Sequence, residues 1–279
     1  MNQLKLEKRA AVVRCLVDGV SVRGTVRITG VAKNTVAKLL VDLGAACEAY
    51  HHKNVRGLRC ERIQCDETWA FCYAKAKNVP AEKQGEFGVG DVWTWVALDA
   101  GTKLTVSWAV GNRDAETARG FMLDVADRVL NRVQLTTDGH IVYLQAVENA
   151  FGIDVDYAQL VKVYGPESGE SAPERKYSPG KVNGSKKLPQ LGLPAREHVS
   201  TSFVERGNLT MRMGMRRFTR LTNAFSKKVE NHAHAVALHF MHYNYCRVHQ
   251  TLKMTPAQAS GLADHAWTVE ELVGLLDSN

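Results

Sequence analysis

Between positions 62 and 73 the chain reads RIQCDETWAFCY, a strand-like run of apolar and small residues with two adjacent carboxylates in its middle. Strand side chains alternate between faces, so Ile63, Cys65, Glu67, Trp69 and Phe71 share one face and Gln64, Asp66, Thr68, Ala70 and Cys72 the other. Asp66 therefore points with the polar residues. Glu67 points the other way, among apolar side chains, where a carboxylate requires a basic neighbour, a bulge or a strand end. Asp66 is the candidate ligand of the pair, and Glu67 is expected to support it from outside the ligand shell.

The segments that follow constrain the fold class. DVWTWVALDA and KLTVSWAVG continue the strand pattern and are joined by the turn signal Asp99, Ala100, Gly101. A helix opens near Asn112 to Asp114 and carries Phe121, Met122, Val125 and Val129, followed by the strand RVQLTTDG, the helical IVYLQAVENAF and the strand VDYAQLVKVY. Three strands, helix, strand, helix, strand is the order of a ribonuclease H-like α/β domain, a mixed five-stranded sheet flanked by helices. Residues 165–200 hold five of the seven prolines with several Gly, Ser and Lys, and read as a long loop or insertion, functional or disordered. Lys181, Lys186 and Lys187 within it suit a phosphate backbone or a solvated surface equally. A long helix is expected from about Ser202 to Lys228, with Val204, Met211, Met215, Phe218 and Phe225 as its apolar stripe. A further helix spans roughly Lys228 to Tyr245, and Thr255 and Pro256 look like the cap and first position of a last short one.

Ahead of the strands lie three short helical segments. Ala10, Val13, Leu16 and Val17 have helical spacing, Ser21 can cap a second helix through Ile28, and Gly30 supplies a turn before a third from about Lys33 to Leu43. Three short helices with a glycine turn before the last resemble a helix-turn-helix module, whose last helix would offer Lys33, Asn34, Thr35 and Lys38 to base edges. A small helical domain for protein contacts has the same pattern. The expected division is a helix-turn-helix module at 1–50, a catalytic domain at 58–250 with its Pro/Gly-rich insertion at 165–200, and a helical tail at 251–279.

Charge favours a polyanionic partner. The net charge is +7 over 279 residues, and Arg206, Arg212, Arg216, Arg217, Arg220, Lys227 and Lys228 crowd a stretch that holds no acid after Glu205 until Glu230. No window approaches the roughly 18 consecutive apolar residues of a membrane span, and residues 1–10 lack the apolar stretch of a secretory signal. A cytoplasmic protein is expected. The six cysteines include no CxxC pair, which argues against a disulfide scaffold or zinc ribbon.

Two further acids stand out. Asp138 ends the strand of LTTDGH, at the carboxyl edge where open α/β sheets place their ligands, although Asp-Gly is also a common turn dipeptide. If that strand lies beside and parallel to the first, Asp66 and Asp138 approach each other, and their repulsion is relieved by a hard divalent cation such as magnesium. Glu205, in the first turn of the long helix, is the candidate third acid, with Asn208, Arg212 and Arg216 following along the helix. The alternative is a capping box from Ser202 to Glu205, in which the acid only satisfies a helix terminus.

Taken together, GVSVRGTVRITGVAKNTVAKLL, IQCDETWAF, TTDGH, STSFVERGNLTMRMGMRRFTRLTNAFSKK and NYCRVHQTLKMTPAQASG resemble the DDE transposases of bacterial insertion sequences of the IS-one type. The resemblance covers most of the chain in order, and the stretch from Ser200 to Lys228 is its most specific part. It implies a ribonuclease H-like catalytic core with Asp66, Asp138 and Glu205 as the acids, and two Mg2+ ions for which Mn2+ can substitute. It also implies cleavage at transposon ends, transfer of the freed 3'-hydroxyl into target DNA, and a homodimer or higher oligomer on double-stranded DNA in a bacterial, nucleoid-associated setting. Lys33, Asn34, Thr35, Lys38, Asn208, Arg212, Arg216, Arg220 and Arg247 are the expected DNA-binding residues. Two departures accompany it: His51, His52, Cys60 and Cys65 lack the spacing of the N-terminal zinc element often found in the family, and the Asp138 to Glu205 separation is long.

Other constellations point elsewhere or nowhere. His232, His234, His239 and His242 lack an accompanying Cys or carboxylate at ligand spacing and read as packing or solvent-facing residues. Tyr243, Tyr245, Arg247 and His249 could steady DNA or pack a helix end. No phosphate-cradling Gly-rich loop or nucleophile elbow is present. Competing functions are a ribonuclease H-like nuclease on RNA/DNA hybrids and a non-catalytic DNA-binding repressor derived from a transposase.

Overall fold

The computed structural model describes residues 4–164, 182–218 and 223–277. Three helices come first: α1 (Leu6–Val17), α2 (Val22–Thr29) and α3 (Lys33–Asn54). The Ser21 hydroxyl accepts the Gly24 amide at 3.0 Å and so starts α2. Gly30, left-handed at φ 69°, ends it. Helix α3 runs eleven residues beyond the expected Leu43, because Gly44, Cys47 and His51 continue the buried stripe set by Val36, Leu39, Leu40 and Leu43.

The sheet has strands β1 (Arg62–Cys72), β2 (Gly90–Asp99), β3 (Thr105–Gly111), β4 (Val133–Asp138), β5 (Val155–Tyr164) and β6 (Val182–Leu191), ordered β3-β2-β1-β4-β5-β6. The first three form an antiparallel meander, and β4 lies parallel to both β1 and β5, the arrangement of a ribonuclease H-like sheet. Helices α4 (Ala115–Arg128) and α5 (Val142–Phe151) make the crossovers, with Phe121, Met122, Val125, Tyr143 and Val147 buried.

Two expectations are corrected here. Among the described residues the sheet has six strands, because β6 forms within the presumed insertion and pairs antiparallel with β5. It buries almost none of its residues and carries Lys186, Lys187 and Pro189, so as an edge strand it shows no apolar alternation to read. The expected helix from Ser202 to Lys228 ends early: α6 (Ser202–Gly214) gives way to extended Met215 and a 3-10 turn at Arg216–Phe218. Met215 and Phe218 are buried all the same, so the apolar stripe that suggested one helix is satisfied by a helix and a turn.

Helix α7 (Val229–Met241) continues into a π-helical turn at His242–Cys246. Helices α8 (Pro256–Ala259) and α9 (Val269–Gly274) each begin with a capping box, from Thr255 to Gln258 and from Thr268 to Glu271. Helix α7 crosses α3 so closely that a Cβ on Gly44 would stand 2.5 Å from the His234 carbonyl oxygen. The carboxyl end folds back on α1, where Arg9 pairs with Asp277 and Arg14 with Glu270. One continuous buried set runs from Val12, Val36 and Leu43 to Cys65, Trp95, Leu135 and Val236. Among the described residues no helix is long and apolar enough to cross a membrane.

Candidate active site

Strand β1 brings Asp66 to its middle, opposite Val96 of β2. On its other side β4 pairs with β1 from Arg62–Gln134 to Gln64–Thr136, and β4 ends at Asp138. The ladder thus stops just short of the acids and leaves them room to meet. Carboxylate oxygens of Asp66, Glu67 and Asp138 lie within 4.8 Å of one another. Asp138 is fixed by its own turn, its Oδ1 accepting the His140 amide at 2.9 Å.

Glu67 joins this cluster although alternation sets it on the opposite face of β1 from Asp66. Past the end of the β1–β4 ladder, carboxylates from both faces of β1 come close to Asp138 and to each other. The basic neighbour Glu67 requires is Arg113, from the loop before α4, whose Nε donates to Glu67 Oε1 at 3.1 Å. The same guanidinium stands 3.5 Å from Asp138 Oδ2 and 4.7 Å over the Trp93 ring. The Glu67 side chain is only 1% exposed, which explains why it needs this partner.

Glu205 approaches from α6. Gln64 Oε1 accepts the amides of Phe203 and Val204 at 2.8 and 3.2 Å, so a β1 side chain caps the helix that carries Glu205. The capping box proposed as Glu205's alternative role does not form: the cap residue is Thr201, and its hydroxyl donates to Glu205 Oε1. Lys162 Nζ of β5 stands 2.7 Å from the same oxygen. Glu205 is outside the close cluster, yet its charge acts on Asp66. Asn208, one turn further along α6, donates from Nδ2 to Asp66 Oδ2 at 2.9 Å.

Burial dominates the electrostatics. It pushes the Asp66 carboxyl up to about 6, opposed by the Asn208 hydrogen bond and reinforced by the charges of Asp138 and Glu205. Burial also pushes Glu67 up to about 7, with Asp138 and Asp66 adding to the rise and Arg113 opposing it. Glu67 Oε2 and Asn208 Oδ1 are both buried without a hydrogen-bond partner. An all-oxygen donor set, mutual repulsion and orphaned oxygens suit a hard divalent cation.

The expected DNA contacts fare unevenly. Lys33, Asn34, Thr35 and Lys38 are exposed at the start of α3, with Lys38 also paired to Asp42. Arg216 and Arg247 are exposed and Arg212 is half-buried. Asn208 is only 5% exposed and bonded to Asp66, so it lies among the acids. Arg220 and Lys181 lie outside the described residues. Gln64, Arg113 and Lys162 escaped the sequence reading, since nothing local marks a residue whose partners are 25 or more positions away. His232 and His239 are buried and pushed down to about 4 and about 3, as packed neutral imidazoles are.

No family model and no curated protein matches the chain. Among solved structures it is similar to the Mos1 transposase paired-end complex with left transposon end, at 12% identity and a TM-score of 0.24 over 56% of this chain and 60% of that one. It is also similar to a piggyBac transposase synaptic complex with hairpin DNA, at 11% identity and a TM-score of 0.39 over 100% of this chain and 71% of that one. The Mos1 strand transfer complex overlaps at 12% identity and a TM-score of 0.25, covering 86% and 76%. The chain spans less than two thirds of the first Mos1 chain, about 60% of its length.

Proposed function

We propose that this chain is a DDE transposase of the IS-one insertion-sequence type, a metal-dependent polynucleotidyl transferase acting on double-stranded DNA. The observation that carries the reading is the meeting of Asp66, Glu67 and Asp138 within 4.8 Å at adjacent parallel strands. Beside it stands a helix bearing Glu205 and hydrogen-bonded to the same strand through Gln64.

In this reading Asp66, Asp138 and Glu205 hold two Mg2+ ions, with Mn2+ able to substitute. When bound, such ions activate an attacking hydroxyl and stabilise the departing oxygen of a phosphodiester. Asn208 orients Asp66 through its hydrogen bond. Thr201 and Lys162 orient Glu205, and Gln64 fixes the helix that presents it. Lys33, Asn34, Thr35 and Lys38 of the 1–50 module read terminal inverted repeats, while Arg212, Arg216 and Arg247 serve DNA phosphates around the 58–250 catalytic domain. The 251–279 tail buttresses α1. Two transposon ends are processed together, which calls for at least a homodimer on DNA, in the bacterial cytoplasm.

The test is strand transfer by the purified protein with DNA carrying the inverted repeats that flank its gene, in magnesium or manganese. Asp66→Asn, Asp138→Asn and Glu205→Gln are each expected to abolish transfer while leaving end binding intact. Retention of transfer by all three variants would sink the assignment.

A further inference from the structure

Arg113 occupies an unusual place. Among the described residues it is the one ionic partner of Glu67, and its second nitrogen reaches Asp138, one of the proposed metal ligands. Its side chain is 39% exposed, whereas that of Glu67 is 1% exposed. The backbone beside it is held firmly, because Asp114 caps α4 by accepting the Thr117 amide at 2.9 Å. The guanidinium rests on Trp93, which gives it a seat that needs neither carboxylate. Lys162 stands on Glu205 in the same way. Three of the four carboxylates, Glu67, Asp138 and Glu205, are thus already met by two cations, and a divalent ion entering this cluster encounters like charge a few ångströms away.

We propose that Arg113 is a positioning residue that competes with the divalent ion for the Glu67–Asp138 side of the cluster, holding those carboxylates in place until metal takes over their neutralisation. This rests on the metal-site reading above. A buried Glu67 needs a counter-charge, and in the metal-free protein the arginine supplies it. The orphaned Glu67 Oε2 remains available to an incoming ion or its water while Oε1 is engaged by Arg113. A purely structural arginine predicts the opposite metal response to a competing one, since loss of a scaffold loosens a site and loss of a rival cation tightens it.

The experiment is calorimetric titration of the full chain with Mn2+ in the absence of DNA, at alkaline pH so that the carboxylates are ionised. Arg113→Gln is expected to bind Mn2+ on the order of tenfold more tightly than wild type, the scale of a unit charge near a divalent ion at water-like screening. Arg113→Lys is expected to stay near wild type. A second measurement uses the wild-type chain alone: the Arg113 Nε–H resonance, identified by its loss in Arg113→Lys, should move on addition of Mg2+. If Arg113→Gln binds equally or more weakly, or the resonance stays still while wild type binds, the inference fails and the metal site stands. If wild type binds no Mn2+, the metal-site reading falls and takes this inference with it.

Discussion

Gln64 and Val204 are 140 positions apart, yet the Gln64 side-chain oxygen accepts the Val204 amide at 3.2 Å and the Phe203 amide at 2.8 Å. The strand that bears Asp66 therefore sets the position of the helix that bears Glu205, independently of any metal.

Gln64→Ala leaves two helix amides without their acceptor. It should cost about 1–2 kcal/mol, the usual price of a lost helix cap, measured by urea unfolding. Strand transfer should fall more than stability suggests, because Glu205 loses its register against Asp66. Gln64→Glu keeps an acceptor at a helix N-terminus and should restore most of the stability. Equal stability of wild type and Gln64→Ala would show that the contact does not position α6.

Asn208 holds the Asp66 carboxyl down against the burial that raises it to about 6. Metal binding requires the ionised form, so Mn2+ affinity of the wild type should decline as pH falls through that value. In Asn208→Ala the opposing hydrogen bond is gone, the carboxyl rises further, and the decline should begin at higher pH. Superimposable affinity–pH curves for the two proteins would refute the role given to Asn208.

The same raised carboxyls affect folding. A carboxyl whose pKa is higher in the folded than in the unfolded chain leaves the native state holding more protons between the two values, so stability falls as pH rises across that window. For Asp66 the window runs from the ordinary aspartate value near 3.8 to about 6. Asp66→Asn removes this penalty. Without metal, its stability advantage over wild type should be near zero below the window and grow to about 3 kcal/mol above it. Thermal melts across that range check this, and an advantage independent of pH would contradict the burial argument. Divalent metal should stabilise wild type above the window and do so far less in the variant.

How much of this could be read from the chain follows from the range of each interaction. Strands β1 to β5, α4 and α5 announce themselves because one or both faces are buried and the apolar period is local. Strand β6 does not, because an exposed edge imposes no pattern on Lys186, Lys187 or Pro189. The stripe from Val204 to Phe218 is real burial but not one helix, since period alone cannot see the break after Gly214. At the site, Asp66 and Asp138 were legible from strand position, and their proximity followed from the parallel pairing of β1 and β4. That Glu67 needs a basic neighbour was legible, but its closeness to Asp138 was not, because it depends on where the β1–β4 ladder ends. Arg113, Lys162 and Gln64 were invisible because their significance lies wholly in partners brought close by folding.

The crossing of α3 and α7 supplies a last test, one that concerns how the N-terminal helices are joined to the sheet domain. Gly44 sits where a Cβ would stand 2.4 Å from the His234 Cβ and 2.7 Å from its Cα, distances that only a shift of the helices relieves. Gly44→Ala should therefore destabilise the protein by about 3 kcal/mol through overpacking, despite the better helix propensity of alanine. Gly120, on the exposed face of α4 with nothing within 4 Å of its virtual Cβ, is the matched control. Gly120→Ala should stabilise by roughly 0.5–1 kcal/mol. Urea unfolding of both variants reads the two signs directly. If Gly44→Ala stabilised as Gly120→Ala does, α3 and α7 would not be in contact at Gly44.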